Sequence, residues 1–181
     1  MADQFTKKWQ TGTTKTVRYV YIVLVSTANM KKFDAYRQAI EAKRQCAQTG
    51  LEAGNQQRRW HGTRRACNIG DPGHMTLCTS TGCALCSIIR SSFSIKYASD
   101  GLYVTSTIID ICELTNVLSF GKGIYTSSTS SNSDGYSSNL GSSPLKAMLL
   151  NKVIVGRGHK TSVLDSSLTA PPSGYDSVRN A

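Results

Sequence analysis

Gly121-Lys122-Gly123-Ile124-Tyr125-Thr126-Ser127-Ser128-Thr129-Ser130-Ser131-Asn132-Ser133-Asp134-Gly135-Tyr136-Ser137 is the stretch on which the reading of this chain turns. Gly121 and Gly123 lack a Cβ and let a backbone pass close to a neighbour. Ile124, Tyr125 and Thr126 are β-formers and predict a short strand. The Ser, Asn, Asp and Gly residues that follow are turn and helix-capping material. Tyr125 and Tyr136 thus frame the run at strand end and helix start, with Ser133 between them. Two aromatic plates and a hydroxyl suit a flat ring bearing an amide, which the plates stack on and the hydroxyl bonds. By composition alone the same run is an ordinary surface loop.

A second stretch, Trp60-His61-Gly62-Thr63, lies upstream, and two more lie downstream: Val153-Ile154-Val155-Gly156 and Pro172-Ser173-Gly174-Tyr175-Asp176-Ser177-Val178. Together, and in this order, they resemble the catalytic core of the poly(ADP-ribose) polymerase family, from about residue 16 to residue 178. The resemblance implies an α+β fold of the ADP-ribosyltransferase type, with split, mostly antiparallel β-sheets and peripheral helices. It also implies NAD as the substrate, cleaved at the nicotinamide–ribose bond, with ADP-ribose passed to a protein or nucleic-acid acceptor. Carried over residue by residue, Gly62 and Ser133 would bond the nicotinamide amide and Tyr136 would stack on the ring. Tyr125 would lie against its other side, while His61, as a donor, and Thr63 would hold ribose hydroxyls. His61 and Tyr125 are the implied catalytic residues. A dinucleotide-binding Rossmann unit is excluded, because Gly121-Lys122-Gly123 leads into a predicted strand and no Gly-x-Gly-x-x-Gly follows one.

The chain has 181 residues, of which 39% are hydrophobic, enough for one domain with a buried core. Its formal charge is +10, and thirteen of the 21 Lys and Arg precede residue 66. Arg58-Arg59 and Arg64-Arg65 bracket the His-Gly-Thr motif, either as an electropositive mouth for a diphosphate or acidic macromolecule, or as solvated faces. No apolar run reaches bilayer length, and the polar start carries no apolar signal segment. The expected setting is intracellular, nuclear or cytoplasmic, away from membranes.

Residues 1–15 read as a loose polar tail and residues 16–181 as the catalytic domain. Residues 16–25 (Thr-Val-Arg-Tyr-Val-Tyr-Ile-Val-Leu-Val) predict a buried strand. Asn29 can cap a helix whose apolar stripe is Phe33, Tyr36 and Ile40. Residues 47–57 read as a connector, 59–63 as a strand, 83–93 as a short helix, and 147–155 as a strand or strand pair. Residues 160–172 read as a loop. The segment 97–120 matches nothing in the resemblance. It is either a lineage-specific loop or translated intron, since the codons for Val104, Leu114-Thr115 and Ser119 permit splice signals.

Cys67, Cys78, Cys83 and Cys86 fall within twenty residues. Soft ligands at such spacing in an intracellular protein favour a tetrahedral, structural zinc ion over disulfides. Asp71-Pro72-Gly73 supplies a turn that could return Cys67 to the others, with His74 the alternative fourth ligand. Small buried thiols in a helix are the other reading. Tankyrases, in the same family, carry a short Cys/His zinc insert in this region.

The resemblance further implies a glutamate on a strand beyond the Gly-Tyr-Asp-Ser-Val turn, and Ala181 precedes any such strand. The expectation is therefore a truncated or mis-spliced product with little transferase activity and poor folding. Two other classes stay open: a catalytically dead module that binds NAD or ADP-ribose, and a basic nucleic-acid-binding domain built on a zinc knuckle.

Overall fold

A computed structural model of the protein describes residues 1–97 and 120–181. The unmatched segment 97–120, apart from its two end residues, lies outside the described residues. The first fifteen residues, expected as a loose tail, contain helix α1 (Ala2–Lys7). Helix α2 (Thr27–Arg44) is followed by strands β1 (Gln56–Gly62) and β2 (Arg64–Arg65) and helix α3 (Ala84–Ser91). After helix α4 (Ser130–Asp134) come β3 (Ser138–Asn139), β4 (Met148–Ile154), β5 (Gly158–Thr161) and β6 (Ser177–Asn180). Strand β1 pairs with β4, β2 with β3, and β5 with β6. The β2–β3 and β5–β6 ladders run parallel, and an isolated antiparallel bridge joins Trp60 to Ser127. The fold is α+β, with helices around small sheets.

The chain divides into two compact units. The first comprises Met1–Ala35, Gln57–Ser92 and Tyr125–Val153. Its core is rich in sulfur: Cys83, Leu85 and Cys86 are buried, and Ala66, Cys67, Ile69, Leu77, Cys78, Ile89, Ala147 and Leu149 pack against them. Leu85, Ile89 and the two cysteines recur at helical spacing, so α3 buries one face and leaves Arg90 and Ser91 to solvent.

Residues 16–25 do not form the expected strand. They pair with no strand among the described residues, and Ile22 and Leu24 remain 85% and 91% exposed. β-Propensity expresses how a side chain fits a pleated, half-buried surface, so without a ladder it confers no strand. One anchor fixes the segment in the first unit, the Tyr21 hydroxyl donating to the Gly70 carbonyl at 3.0 Å. The cap of α2 also differs from the expectation: the Ser26 hydroxyl accepts the Asn29 N–H at 3.3 Å, one turn before the predicted start.

The second unit comprises Tyr36–Gln56, Phe93–Ile124 and Ile154–Ala181. Of the predicted α2 stripe, Ile40 is buried here while Tyr36 is half exposed. Asp176 of the Gly-Tyr-Asp-Ser-Val motif is a structural anchor. Its carboxylate receives Arg44 Nε at 2.7 Å, Arg44 Nη2 at 3.1 Å, Lys43 Nζ at 3.3 Å and the Arg157 N–H at 2.9 Å. The Arg44 guanidinium first, then the other donors, hold the Asp176 carboxyl down at about 2 against the opposing effect of burial. Gly121 meets its requirement as read: φ is +72°, and a Cβ there would lie 1.9 Å from the Leu168 carbonyl oxygen.

Candidate functional site

The site belongs to the first unit and starts from β1. Trp60 exchanges both backbone hydrogen bonds with Ser127, N to O at 2.8 Å and O to N at 2.9 Å. That bridge is the one piece of ladder made by the Gly-Ile-Tyr region, where a short strand was expected. It sets His61 beside Tyr125, and His61 Nδ1 lies 2.8 Å from the Tyr125 carbonyl oxygen. A carbonyl only accepts, so Nδ1 carries the hydrogen. Burial lowers the His61 pKa, and the Tyr125 bond opposes that shift without reversing it. Near neutral pH the ring is uncharged, and Nε2 is then an acceptor.

Gly62 lies against α4. A Cβ at this position would come within 1.9 Å of the Ser133 carbonyl oxygen, 2.8 Å of Ser137 Oγ and 2.9 Å of the Ser137 nitrogen. Only glycine permits this approach. The Ser133 carbonyl accepts the Tyr136 N–H at 3.2 Å and the Ser137 hydroxyl at 3.2 Å, which closes the turn after α4. Ser133 itself is buried, 4% exposed. Thr63 O accepts the Ser138 N–H at 3.3 Å, and from there β2 and β3 run in register, Arg64 opposite Ser138 and Arg65 opposite Asn139. Tyr125 and Tyr136 keep 36% and 59% of their surface exposed, so both rings can still cover a ligand. The structure thus brings His61 to Tyr125 and Gly62 to Ser133, with Thr63 and Tyr136 adjoining them along the chain.

Arg65 corrects the reading of the basic residues around this motif. It is 2% exposed and belongs neither to a solvated face nor to an electropositive mouth. Its guanidinium bonds Asn139 Oδ1 at 3.1 Å, the Ile69 carbonyl at 2.8 Å, Asp71 Oδ1 at 2.8 Å and Ser143 Oγ at 2.7 Å, and also the Leu145 carbonyl. One cation therefore joins β3 to the loops at 69–71 and 143–145. Side-chain burial of an arginine leaves no local trace in sequence. Ser137 was missed likewise, although its place four residues after Ser133 is the spacing of a hydroxyl that back-bonds a helix carbonyl.

The Cys67, Cys78, Cys83 and Cys86 sulfurs lie within 4.8 Å of one another. Cys67 Sγ is 3.7 Å from Cys83 Sγ and 3.5 Å from Cys86 Sγ. A tetrahedron with metal–sulfur bonds of about 2.3 Å has edges of about 3.8 Å, so the spacing fits a four-thiolate metal site. Cys67, and not His74, completes the set. The Asp71 turn forms as read, with Asp71 N–H on Asn68 O at 3.0 Å and His74 N–H on Asp71 O at 2.9 Å. Burial opposes ionisation of Cys83, yet the Ala66 and Cys86 N–H groups and neighbouring thiols bring it down to about 7. Burial pushes the Cys86 thiol up.

Helices packed on small sheets fit the α+β architecture of an ADP-ribosyltransferase-type domain. The chain belongs to the poly(ADP-ribose) polymerase catalytic domain family, whose sequence pattern matches residues 88–181, just over half of its length. Tyr125, Ser133 and Tyr136 fall inside that match, whereas His61, Gly62 and all four clustered cysteines precede it. The chain is also similar to mouse protein mono-ADP-ribosyltransferase PARP3, 43% identical over 60 residues. That stretch is 32% of this chain and 11% of the mouse protein, so only a small part of that relative is represented here. Among the described residues no helix is long and apolar enough to cross a membrane.

Proposed function

We propose that this chain is an NAD-dependent ADP-ribosyltransferase domain whose first unit binds the nicotinamide end of NAD. The observation that carries the reading is the approach of Gly62 to α4, which sets a backbone edge against the Ser133 carbonyl with Tyr136 one turn away. In this reading the nicotinamide amide bonds Gly62 and Ser133, and the ring lies between Tyr136 and Tyr125. A ribose hydroxyl donates to His61 Nε2, the reverse of the donation that the family resemblance implies, because Nδ1 already carries the ring hydrogen. Thr63 holds a neighbouring hydroxyl.

Cleavage of the nicotinamide–ribose bond passes through an oxocarbenium-like state, which a nearby negative charge stabilises. His61, Gly62, Thr63, Tyr125, Ser133 and Tyr136 are groups that bind and orient, so binding is the first activity expected of them. Transfer of ADP-ribose to an acceptor is the second. The four thiols suit Zn2+ in a closed, structural site that ties α3 to the loop after β2.

The test is a thermal-shift titration with NAD and with nicotinamide, run beside an assay of nicotinamide release. Stabilisation lost in Tyr136→Ala and His61→Ala, and kept in Arg44→Ala, supports the NAD site. Release of nicotinamide then identifies an enzyme, and binding without release identifies a module that reads NAD or ADP-ribose. Salt-sensitive binding to RNA or DNA with no response to NAD would overturn both in favour of the zinc-knuckle reading.

A further inference from the structure

The first ten residues make more specific contacts than a tail requires. Phe5 meets the Trp60 ring edge-on, with centroids 5.7 Å apart and planes at 84°, and stacks obliquely on Trp9 at 5.3 Å. Arg58 Nη1 donates to Gln4 Oε1 at 3.3 Å. On this side, therefore, α1 holds β1 at the residue preceding His61.

Its other contacts go to α4. The last carbonyls of a helix have no partner within it, and neither do the first N–H groups of the next. Here the two sets meet. The Ser130 N–H donates to Lys8 O at 3.0 Å and the fully buried Ser130 hydroxyl donates to Phe5 O at 2.7 Å. One residue on, the Gln10 N–H donates to Ser131 Oγ at 3.2 Å. Ser133 follows two residues later in the same helix. The end of α1 thus caps the start of α4 with complementary dipole ends.

We propose that residues 1–10 form a strap that positions the candidate site, with Phe5 and Trp9 as its positioning residues. The strap links the chain segment that carries His61 and Gly62 to the helix that carries Ser133, and it adds to the contact of Gly62 with α4 and the Trp60–Ser127 bridge. It touches no ligand itself. Its effect is to hold the Gly62 edge and residue Ser133 of α4 at a fixed separation, which a planar amide bonded to both demands. This rests on the NAD-site reading above.

The buried Trp9 indole N–H has no hydrogen-bond partner among the described residues, so the strap uses the Trp9 ring and not its nitrogen. That separates two substitutions: Trp9→Phe keeps a ring and removes an unpaired N–H, whereas Trp9→Ala removes the packing. The experiment titrates nicotinamide into the full chain and its variants at a temperature where circular dichroism shows each folded. Phe5→Ala and Trp9→Ala are expected to weaken nicotinamide binding about tenfold, with Phe5→Leu and Trp9→Phe within about twofold of the parent. A purely structural strap would lower the melting temperature of the alanine variants and leave their affinity unchanged, and that result overturns the proposal. Should the alanine variants not fold, Ser130→Ala, which loses only the bond to Phe5 O, serves with amide hydrogen exchange. Faster exchange at the amides of α4 supports the strap and unchanged exchange refutes it. A parent protein that binds no nicotinamide defeats the NAD site and the strap with it, while a parent that binds beside indifferent variants defeats the strap alone.

Discussion

Replacing Gly62 with alanine tests the geometry of the site with one methyl group. The new Cβ would lie 1.9 Å from the Ser133 carbonyl oxygen and 2.9 Å from the Ser137 nitrogen, and both neighbours are backbone atoms. Contacts of this kind need roughly 3.4 Å, so β1 and α4 must part by about 1 Å or more. Overpacking of this sort costs about 1–3 kcal/mol. In a domain of this size each kcal/mol lowers the melting temperature by roughly 2–4 °C, for a total of about 2–12 °C. The separation also breaks the paired contact that the nicotinamide amide is proposed to use, so affinity should fall further than stability. Gly135→Ala is the matched control in the turn after α4. Its backbone is helical, and its nearest neighbour, the Asn132 carbonyl, is an ordinary 3.7 Å away. Alanine there should be neutral or stabilise by up to about 1 kcal/mol, through restriction of the unfolded chain. Thermal melts followed by circular dichroism and a nicotinamide titration read both effects. If Gly62→Ala melts with the parent and binds nicotinamide as tightly, Gly62 does not abut α4 and the site is wrongly drawn.

Elemental analysis of the purified protein should find about one zinc ion per chain, and Cys86→Ser should lower the melting temperature while sparing the NAD-site residues; no zinc together with four freely reactive thiols would remove the metal site. The depressed His61 pKa has a defined sign. The unfolded chain binds a proton near pH 6.5 that the folded chain resists, so this contribution to stability is complete above that pH and is lost as pH falls through the lower, folded value. NAD affinity should weaken over the same acidic window if Nε2 accepts from ribose, whereas affinity that strengthens on acidification would make His61 the donor. Arg65→Met should destabilise by about 1–3 kcal/mol, since it leaves Asn139 Oδ1 and the Ile69 and Leu145 carbonyls without their donor; chemical denaturation that finds less than about 1 kcal/mol would mean water replaces the guanidinium.

Helices α2 and α3 and strands β1 and β4 were legible because each carries a local signal, apolar recurrence at helical spacing or a run of β-formers between turn residues. The order of four short motifs announced the family, but the helix start expected at Tyr136 was misplaced, since α4 begins at Ser130 and ends at Asp134. The sequence alone thus determined the α+β class, and it offered the candidate ligand residues and a cysteine cluster with the fourth member, Cys67 or His74, left open. It misplaced residues 16–25, whose composition is that of a strand but whose state depends on whether another strand lies alongside. Only the tertiary structure decided that Arg65 is buried, that Cys67 and not His74 joins the other thiols, and that Phe5 reaches Trp60. The reason is common to all of these. Periodicity and turn chemistry act between residues a few positions apart, whereas burial, metal geometry and ring contacts depend on segments that meet only when the chain has folded.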